Sequence, residues 1–196
     1  MELAHVARGV RCADAIFKRT EIDLLASRPV SGGKHLIYMR GEVAEMEEAM
    51  DAGRLMAAES LVDSLLLPLA HSQLWPMIPN ASDGKPWTSD VIVSAAIVES
   101  ATISSLLAGM DAACKEAEVK VRDVRLGMGI MGKAFFTMTG KRPDVEPAAE
   151  AARARVGESR LALDVIPAPA HEIPGQLISL GGARAFRSCG ISKSGY

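Results

Sequence analysis

Aromatic side chains are nearly missing from this sequence, which has two Trp, two Tyr and four Phe among 196 residues. A core built from it must be aliphatic and sulfur-rich, drawing on ten methionines. Cysteine is also scarce. The three present show no metal-type spacing, so a disulfide framework is excluded and a reducing compartment is implied. Neither charge sign dominates: 22 basic and 24 acidic residues leave a formal net charge of -2, which argues against a dedicated nucleic-acid binder. The longest apolar runs, such as Val91 to Val98, fall far short of the ~20 residues that a membrane-spanning helix needs. Met1 to Val10 holds no basic stretch followed by an apolar run, so no secretory signal is read there. No P-loop, nucleophile elbow or H-E-x-x-H pattern is present. What remains is the composition of a soluble cytoplasmic protein, 48% hydrophobic and 23% charged, long enough for one domain or two small ones.

What the sequence does have is an internal repeat. Asp14-Ala15-Ile16-Phe17-Lys18 returns 97 residues later as Asp111-Ala112-Ala113-Cys114-Lys115. Gly33 to Gly41 returns 99 residues later as Gly132 to Gly140. Pro68 and His71 have counterparts in Pro167-Ala168-Pro169 and His171. Order and spacing agree across the unit, with a small insertion in the second copy.

Each copy predicts the same string of elements. In the second, Val91 to Glu99 is an apolar, β-branched strand, and Thr102 to Ala117 carries apolar residues at helical spacing. Val119 to Leu126 alternates as a strand with one wet face. A glycine-rich turn leads to a strand over Lys133 to Thr139, a helix over Asp144 to Val156 and a strand over Arg160 to Ile166. The first copy repeats this with Val10 to Arg19, Ile22 to Ser27, Lys34 to Arg40, Val43 to Ala58 and Leu61 to Leu67. Glu2 aligns with Glu99, so the strand residues matching Val91 to Ile97 are mostly absent from copy one: either the given start is late or the first strand is short. The order β-α-β-β-α-β predicts an α+β fold of two tandem ferredoxin-like domains, each an antiparallel sheet with its helices on one face. The expected boundaries are 1–78 for the first domain, 79–90 for a Pro/Gly-rich linker, 91–180 for the second domain and 181–196 for a disordered tail.

Candidate chemistry is thin. Gly127-Met128-Gly129-Ile130-Met131-Gly132 fits G-x-G-x-x-G, but a dinucleotide turn must run from strand into helix, and a strand follows here. The histidines form no ligand cluster. His71 and His171 read as capping or interface residues, and His35 follows the glycine loop of copy one. Cys12 and Cys114 fall among apolar helix positions and read as packing residues, and Cys189 lies in the tail. The acidic run Glu45, Glu47, Glu48 and Asp51 reads as a solvated helix face beside Arg54. No catalytic set, metal site or cofactor is expected.

The repeated segments Arg8 to Lys18, Leu24 to Lys34, Met39 to Val43 and Met50 to Gly53 closely resemble a bacterial microcompartment (BMC) shell domain. Val98 to Ala101 and Gly132 to Val145 resemble it a second time. The resemblance implies a tandem-domain shell protein whose homotrimer imitates a hexamer. Such tiles join other shell proteins around encapsulated enzymes in the bacterial cytoplasm. It further implies a central pore for small polar metabolites, lined by Val30, Ser31, Gly32 and Gly33 and by Gly129, Ile130, Met131 and Gly132. Lys34 and Lys133 would put positive charge at the pore rim, and Lys18 and Lys115 would form the tile edge. Two departures stand out. The family's arginine after the last strand is replaced by Leu69-Ala70 and Ala168-Pro169-Ala170. Ser31 stands where some tandem relatives carry a cluster-ligating cysteine, and a hydroxyl cannot replace that thiolate. The unpermuted element order is similar to the single-layer subtype of catabolic compartments. The competing reading, a small ferredoxin-like ligand-binding or signalling protein, requires a convergent polar pocket.

Overall fold

The computed structural model describes residues 1–77, 93–157 and 161–170. The expected linker and tail, together with His171 and Cys189, lie outside the described residues. Two equivalent units follow one another. The first comprises β1 (Glu2–Leu3), α1 (Val6–Phe17), β2 (Asp23–Pro29), β3 (His35–Arg40), α2 (Val43–Ala57) and β4 (Leu61–Asp63). The second comprises β5 (Ser94–Ser100), α3 (Ile103–Glu116), β6 (Lys120–Leu126), β7 (Ala134–Gly140), α4 (Arg142–Val156) and β8 (Leu161–Pro167). The sheets run β2-β3-β1-β4 and β6-β7-β5-β8, antiparallel throughout. This is the expected α+β arrangement.

The register confirms how the copies align. Leu3 pairs with His35 as Ser100 pairs with Ala134, and Glu2 pairs with Leu36 as Glu99 pairs with Phe135. Small residues let the helices of each unit approach closely. A Cβ on Gly109 of α3 would stand 2.6 Å from Val156 of α4, and one on Gly53 of α2 would stand 2.6 Å from the Met1 sulfur. Both contacts are apolar, as close packing of a mostly aliphatic core requires.

Two expected boundaries move by four residues. Helix α1 starts at Val6 rather than Val10, with Gly9 as an interior residue packed under the His35 ring. Strand β4 stops at Asp63 rather than Leu67. Its pairing with β1 runs through Leu3↔Leu61 and Glu2↔Asp63. A 3-10 segment, Ser72–Met77, then crosses to the second unit. There the Gln73 side chain donates to the Val119 carbonyl (2.8 Å) and accepts from the Val121 N–H (2.9 Å), and Leu74 is buried.

Candidate functional site: two glycine loops at the junction of the units

The two β–β loops differ in length. Five residues separate β2 from β3 and seven separate β6 from β7, which accounts for the change of repeat offset from 97 to 99. Positive φ is needed in both: Gly32 (77°) and Gly33 (74°) in the first, Gly127 (82°), Gly129 (74°) and Gly132 (76°) in the second. The G-x-G-x-x-G pattern thus sits between two strands and has no helix to offer a phosphate.

The loops meet each other within one chain. The Gly129 N–H donates to Ser31 Oγ at 2.9 Å. A Cβ on Gly132 would lie 2.7 Å from the Ser31 carbonyl oxygen, and one on Gly32 would lie 3.1 Å from that of Met131. Backbone therefore approaches backbone, which only glycine permits. On the outer side Met131 is 86% exposed at φ 54°, and Met128, Gly129, Gly32 and Gly33 are also exposed. Ile130 and Ser31 are half-buried, and Val30 and Gly132 are buried.

Lys34 is placed differently from expectation. Its ammonium donates to Glu2 Oε1 at 2.6 Å and to the carbonyls of Gly132 (3.1 Å) and Ala101 (3.3 Å). The Glu2 side chain is fully buried and that of Lys34 is 19% exposed. The other Glu2 oxygen accepts the Ile103 N–H at the start of α3 (2.8 Å). Lys34 is thus a bond between the units, neutralised by a carboxylate, and not a free charge at the rim. Lys133, its counterpart, is exposed. The hydroxyl of Ser31 is likewise engaged by the neighbouring loop.

A second carboxylate of the first unit completes this junction. Asp63 Oδ2 accepts from Thr102 Oγ1 (2.5 Å) and Ser105 Oγ (2.8 Å). Two acidic side chains from one unit therefore face the N-terminal turn of a helix in the next, where the helix dipole favours negative charge. Neither Glu2 nor Asp63 was singled out from the sequence. Their partners are 101 and 39 residues away, and no local pattern marks them.

Lys18 and Lys115 occupy matched places. Each donates to the aspartate one helical turn earlier at 2.7 Å, Asp14 and Asp111 respectively. The difference lies beneath them. Asp14 is exposed, whereas Asp111 is buried and also accepts the His71 N–H (2.7 Å). His71 in turn accepts from the Gln73 N–H (3.3 Å), so it organises the crossing segment.

Burial sets the remaining chemistry. Cys12 and Cys114 are buried thiols, both pushed up by desolvation, Cys114 to about 12. His35 is buried and lowered by desolvation, with Nε2 against Ser27 Oγ at 2.8 Å. Among the acidic run, Glu48 pairs with Arg19 (3.0 Å) and Asp51 with Arg54 (3.5 Å), all at the surface. A cavity of about 500 Å³ between the first sheet and α3 is lined mainly by Leu, Met, Ile and Val. Its apolar walls are not the convergent polar pocket of a metabolite binder.

Comparison with known proteins gives one consistent picture. The sequence profile described as "BMC domain" matches residues 1–69 and again 94–169. The bacterial microcompartment shell protein PduT of Citrobacter freundii is 32% identical over 174 residues, which cover 88% of this chain and 91% of that protein. The crystal structure of a microcompartments protein from Desulfitobacterium hafniense superposes with a TM-score of 0.73 at 35% identity, covering 88% and 94% of the two chains. The fused permuted hexameric shell protein MSM0275 shares the fold, with a TM-score of 0.55 at 20% identity over 79% of this chain and 78% of its own.

Proposed function

The chain belongs to the BMC-domain family of bacterial microcompartment shell proteins, structural proteins rather than enzymes, and from that premise we propose that it is a homotrimeric, pseudohexameric tile with a central pore. The observation that carries this reading is the junction inside one chain. It is heterologous: the sheet side of the first unit, with Glu2, Lys34 and Asp63, meets the N-terminal half of α3 in the second. A heterologous contact between equivalent units leaves a mate of each surface uncovered, and repeating it closes a ring. Those mates are present. Glu99 and Lys133, counterparts of Glu2 and Lys34, are exposed. On α1, Val6 and Val10 are exposed where Ile103 and Leu107 of α3 are buried. Three chains alternating the two kinds of unit satisfy every junction.

On this reading the loops 30–33 and 129–132 of three chains surround the axis. Lys34 contributes little charge there, because Glu2 holds it, and Ser31 is engaged by Gly129. The rim is then made of glycine backbone, three exposed Met131 side chains and three Lys133 ammonium groups. Such a pore suits small molecules that need no dedicated binding site, with a mild preference for anions. The element order of both units supports the unpermuted, single-layer subtype. Other shell proteins are the edge partners in this reading, with Lys18 and Lys115 at the tile edge, and the enclosed enzymes lie behind the tile.

Native mass spectrometry in mild salt tests the core of the reading. Three chains per particle are expected, and electron micrographs should show flat sheets. A monomer at micromolar concentration overturns the trimer.

A further inference from the structure

Helix α3 is buried on two sides and its counterpart α1 on one. The side turned to its own unit is shared. Leu106, Gly109, Met110 and Ala113 are buried on α3, as are Gly9, Cys12, Ala13 and Ile16 in the same places 97 residues earlier. The second side of α3 is Ile103, Ser104, Leu107, Ala108 and Asp111, also buried. Its mates on α1, Val6, Ala7, Val10, Arg11 and Asp14, are all exposed. Size and polarity are roughly kept at four of these five places. At the fifth, Ala108 is replaced by Arg11.

Within the chain, the segment that follows β4 covers this second side. Asp63 accepts from the Thr102 and Ser105 hydroxyls at the start of α3, and the His71 N–H donates to Asp111 further along it. Residues 63–71 therefore run beside the helix. Leu65 lies near its first half, packed on the core that contains Ile103 and Leu107. The equivalent segment of the second unit follows from the register. Glu2 pairs with Asp63 as Glu99 pairs with Ala162. The positive φ of Leu69 (55°) recurs 99 residues later at Ala168 (48°). Leu65 thus corresponds to Asp164, which is exposed.

The changes on the two uncovered surfaces are matched. Inside the chain, apolar Leu65 runs past the stretch of α3 that holds Ala108. On the surfaces left open, the same two places carry Asp164 and Arg11. A second exchange goes with the first. Asp63 becomes Ala162, and its hydroxyl donors Thr102 and Ser105 become His5 and Arg8, so the acceptor and its donors leave together. Among the described residues, neither the Arg11 nor the Asp164 side chain has a hydrogen-bond or ion-pair partner.

We propose that Asp164 of one chain pairs with Arg11 of the next, an ion pair made only between chains, which marks a second copy of this protein as the partner of both surfaces. The proposal rests on the trimer reading and adds what specifies the order of units within it. A guanidinium and a carboxylate meet as a charge-assisted, two-pronged pair, stronger than the apolar contact it replaces is selective. The wrong mates are penalised. Asp164 set against another chain's α3 would face Ala108, and Arg11 set beside another first unit would face Leu65. Either arrangement buries one charge alone. Charge thus enforces the alternation of first and second units that a closed trimer needs.

A charge-reversal cycle on the full chain tests this, read by native mass spectrometry and sedimentation over a dilution series. Arg11→Glu and Asp164→Arg each bring like charges together. Each should raise the concentration at which the trimer dissociates by about tenfold or more. The double variant Arg11→Glu, Asp164→Arg rebuilds the pair with its signs exchanged and should recover most of the lost affinity. Both residues are exposed in the single chain, so far-ultraviolet circular dichroism should stay that of the parent in all three variants. A parent trimer that neither single variant weakens overturns the pair and leaves the trimer standing. A double variant no better than the singles overturns the pair as well. A monomeric parent overturns the trimer reading and the pair with it.

Discussion

At the scale of single residues, the buried groups set how the protein responds to pH. His35 is buried, and desolvation lowers it from 6.5. The unfolded chain therefore binds a proton that the folded chain refuses. Stability from this ring is present above pH 6.5 and is lost below it. Melting temperature should therefore fall as the pH drops below 6.5. A flat profile through that range would contradict the burial of His35.

The glycines of the second loop offer a comparison that separates conformation from contact. Gly129 and Gly132 share nearly the same positive φ, 74° and 76°. A Cβ on Gly129 meets nothing within 4 Å, whereas one on Gly132 would meet the Ser31 carbonyl at 2.7 Å. Gly129→Ala should cost only the left-handed penalty of about 1–2 kcal/mol. Gly132→Ala must also push the two loops apart, so its loss in chemical denaturation should be clearly larger, about 3 kcal/mol or more. Equal losses would mean that the loops are not pressed together.

At the scale of elements, the ion pair between β1 and the start of β3 ties one unit to the helix of the next. Glu2 is fully buried and accepts from both Lys34 and the first N–H of α3. Glu2→Ala leaves a buried ammonium and an orphaned helix N–H, and should cost about 3–5 kcal/mol. A Glu2→Leu, Lys34→Met double variant removes both charges and should recover much of that loss. The coupling energy from this double-mutant cycle checks the pair. A value near zero would show that Lys34 points elsewhere.

Most elements were legible because their pattern is local. Helical spacing marks Ile103, Leu106, Leu107 and Met110, and alternation marks β6. What was not legible depends on partners far along the chain. The run Leu65 to Leu67 has the composition of a strand, but the β1–β4 ladder ends at Asp63. Helix α1 was expected from Val10, yet it includes Gly9, whose missing side chain leaves the space into which the His35 ring fits. Of the candidate site, the two glycine loops could be read from the repeat. The fate of Lys34 could not, because a lysine following a loop looks the same whether it faces solvent or a buried carboxylate on another strand.

At the scale of the whole molecule, the same kind of junction is expected inside and between chains, and a single surface residue can separate the two. Val10 lies on α1 at 57% exposure, and its counterpart Leu107 on α3 is 7% exposed because the first unit covers it. In an isolated chain Val10→Asp is a surface change and should shift stability by no more than about 0.5 kcal/mol. In a ring that repeats the internal junction, it buries an unpaired carboxylate against the apolar side of a neighbouring sheet, at a cost of several kcal/mol per contact. Three such contacts occur in a closed trimer of alternating units. Native mass spectrometry of Val10→Asp should therefore show monomers while the far-ultraviolet circular dichroism stays that of the parent. The matching change on the other side, Glu99→Lys, should act in the same direction, by setting a cation where the N-terminal turn of a neighbour's α1 favours an anion. If both variants remain trimeric, the chains associate through some other surface. The internal junction would then say nothing about how the tile is built.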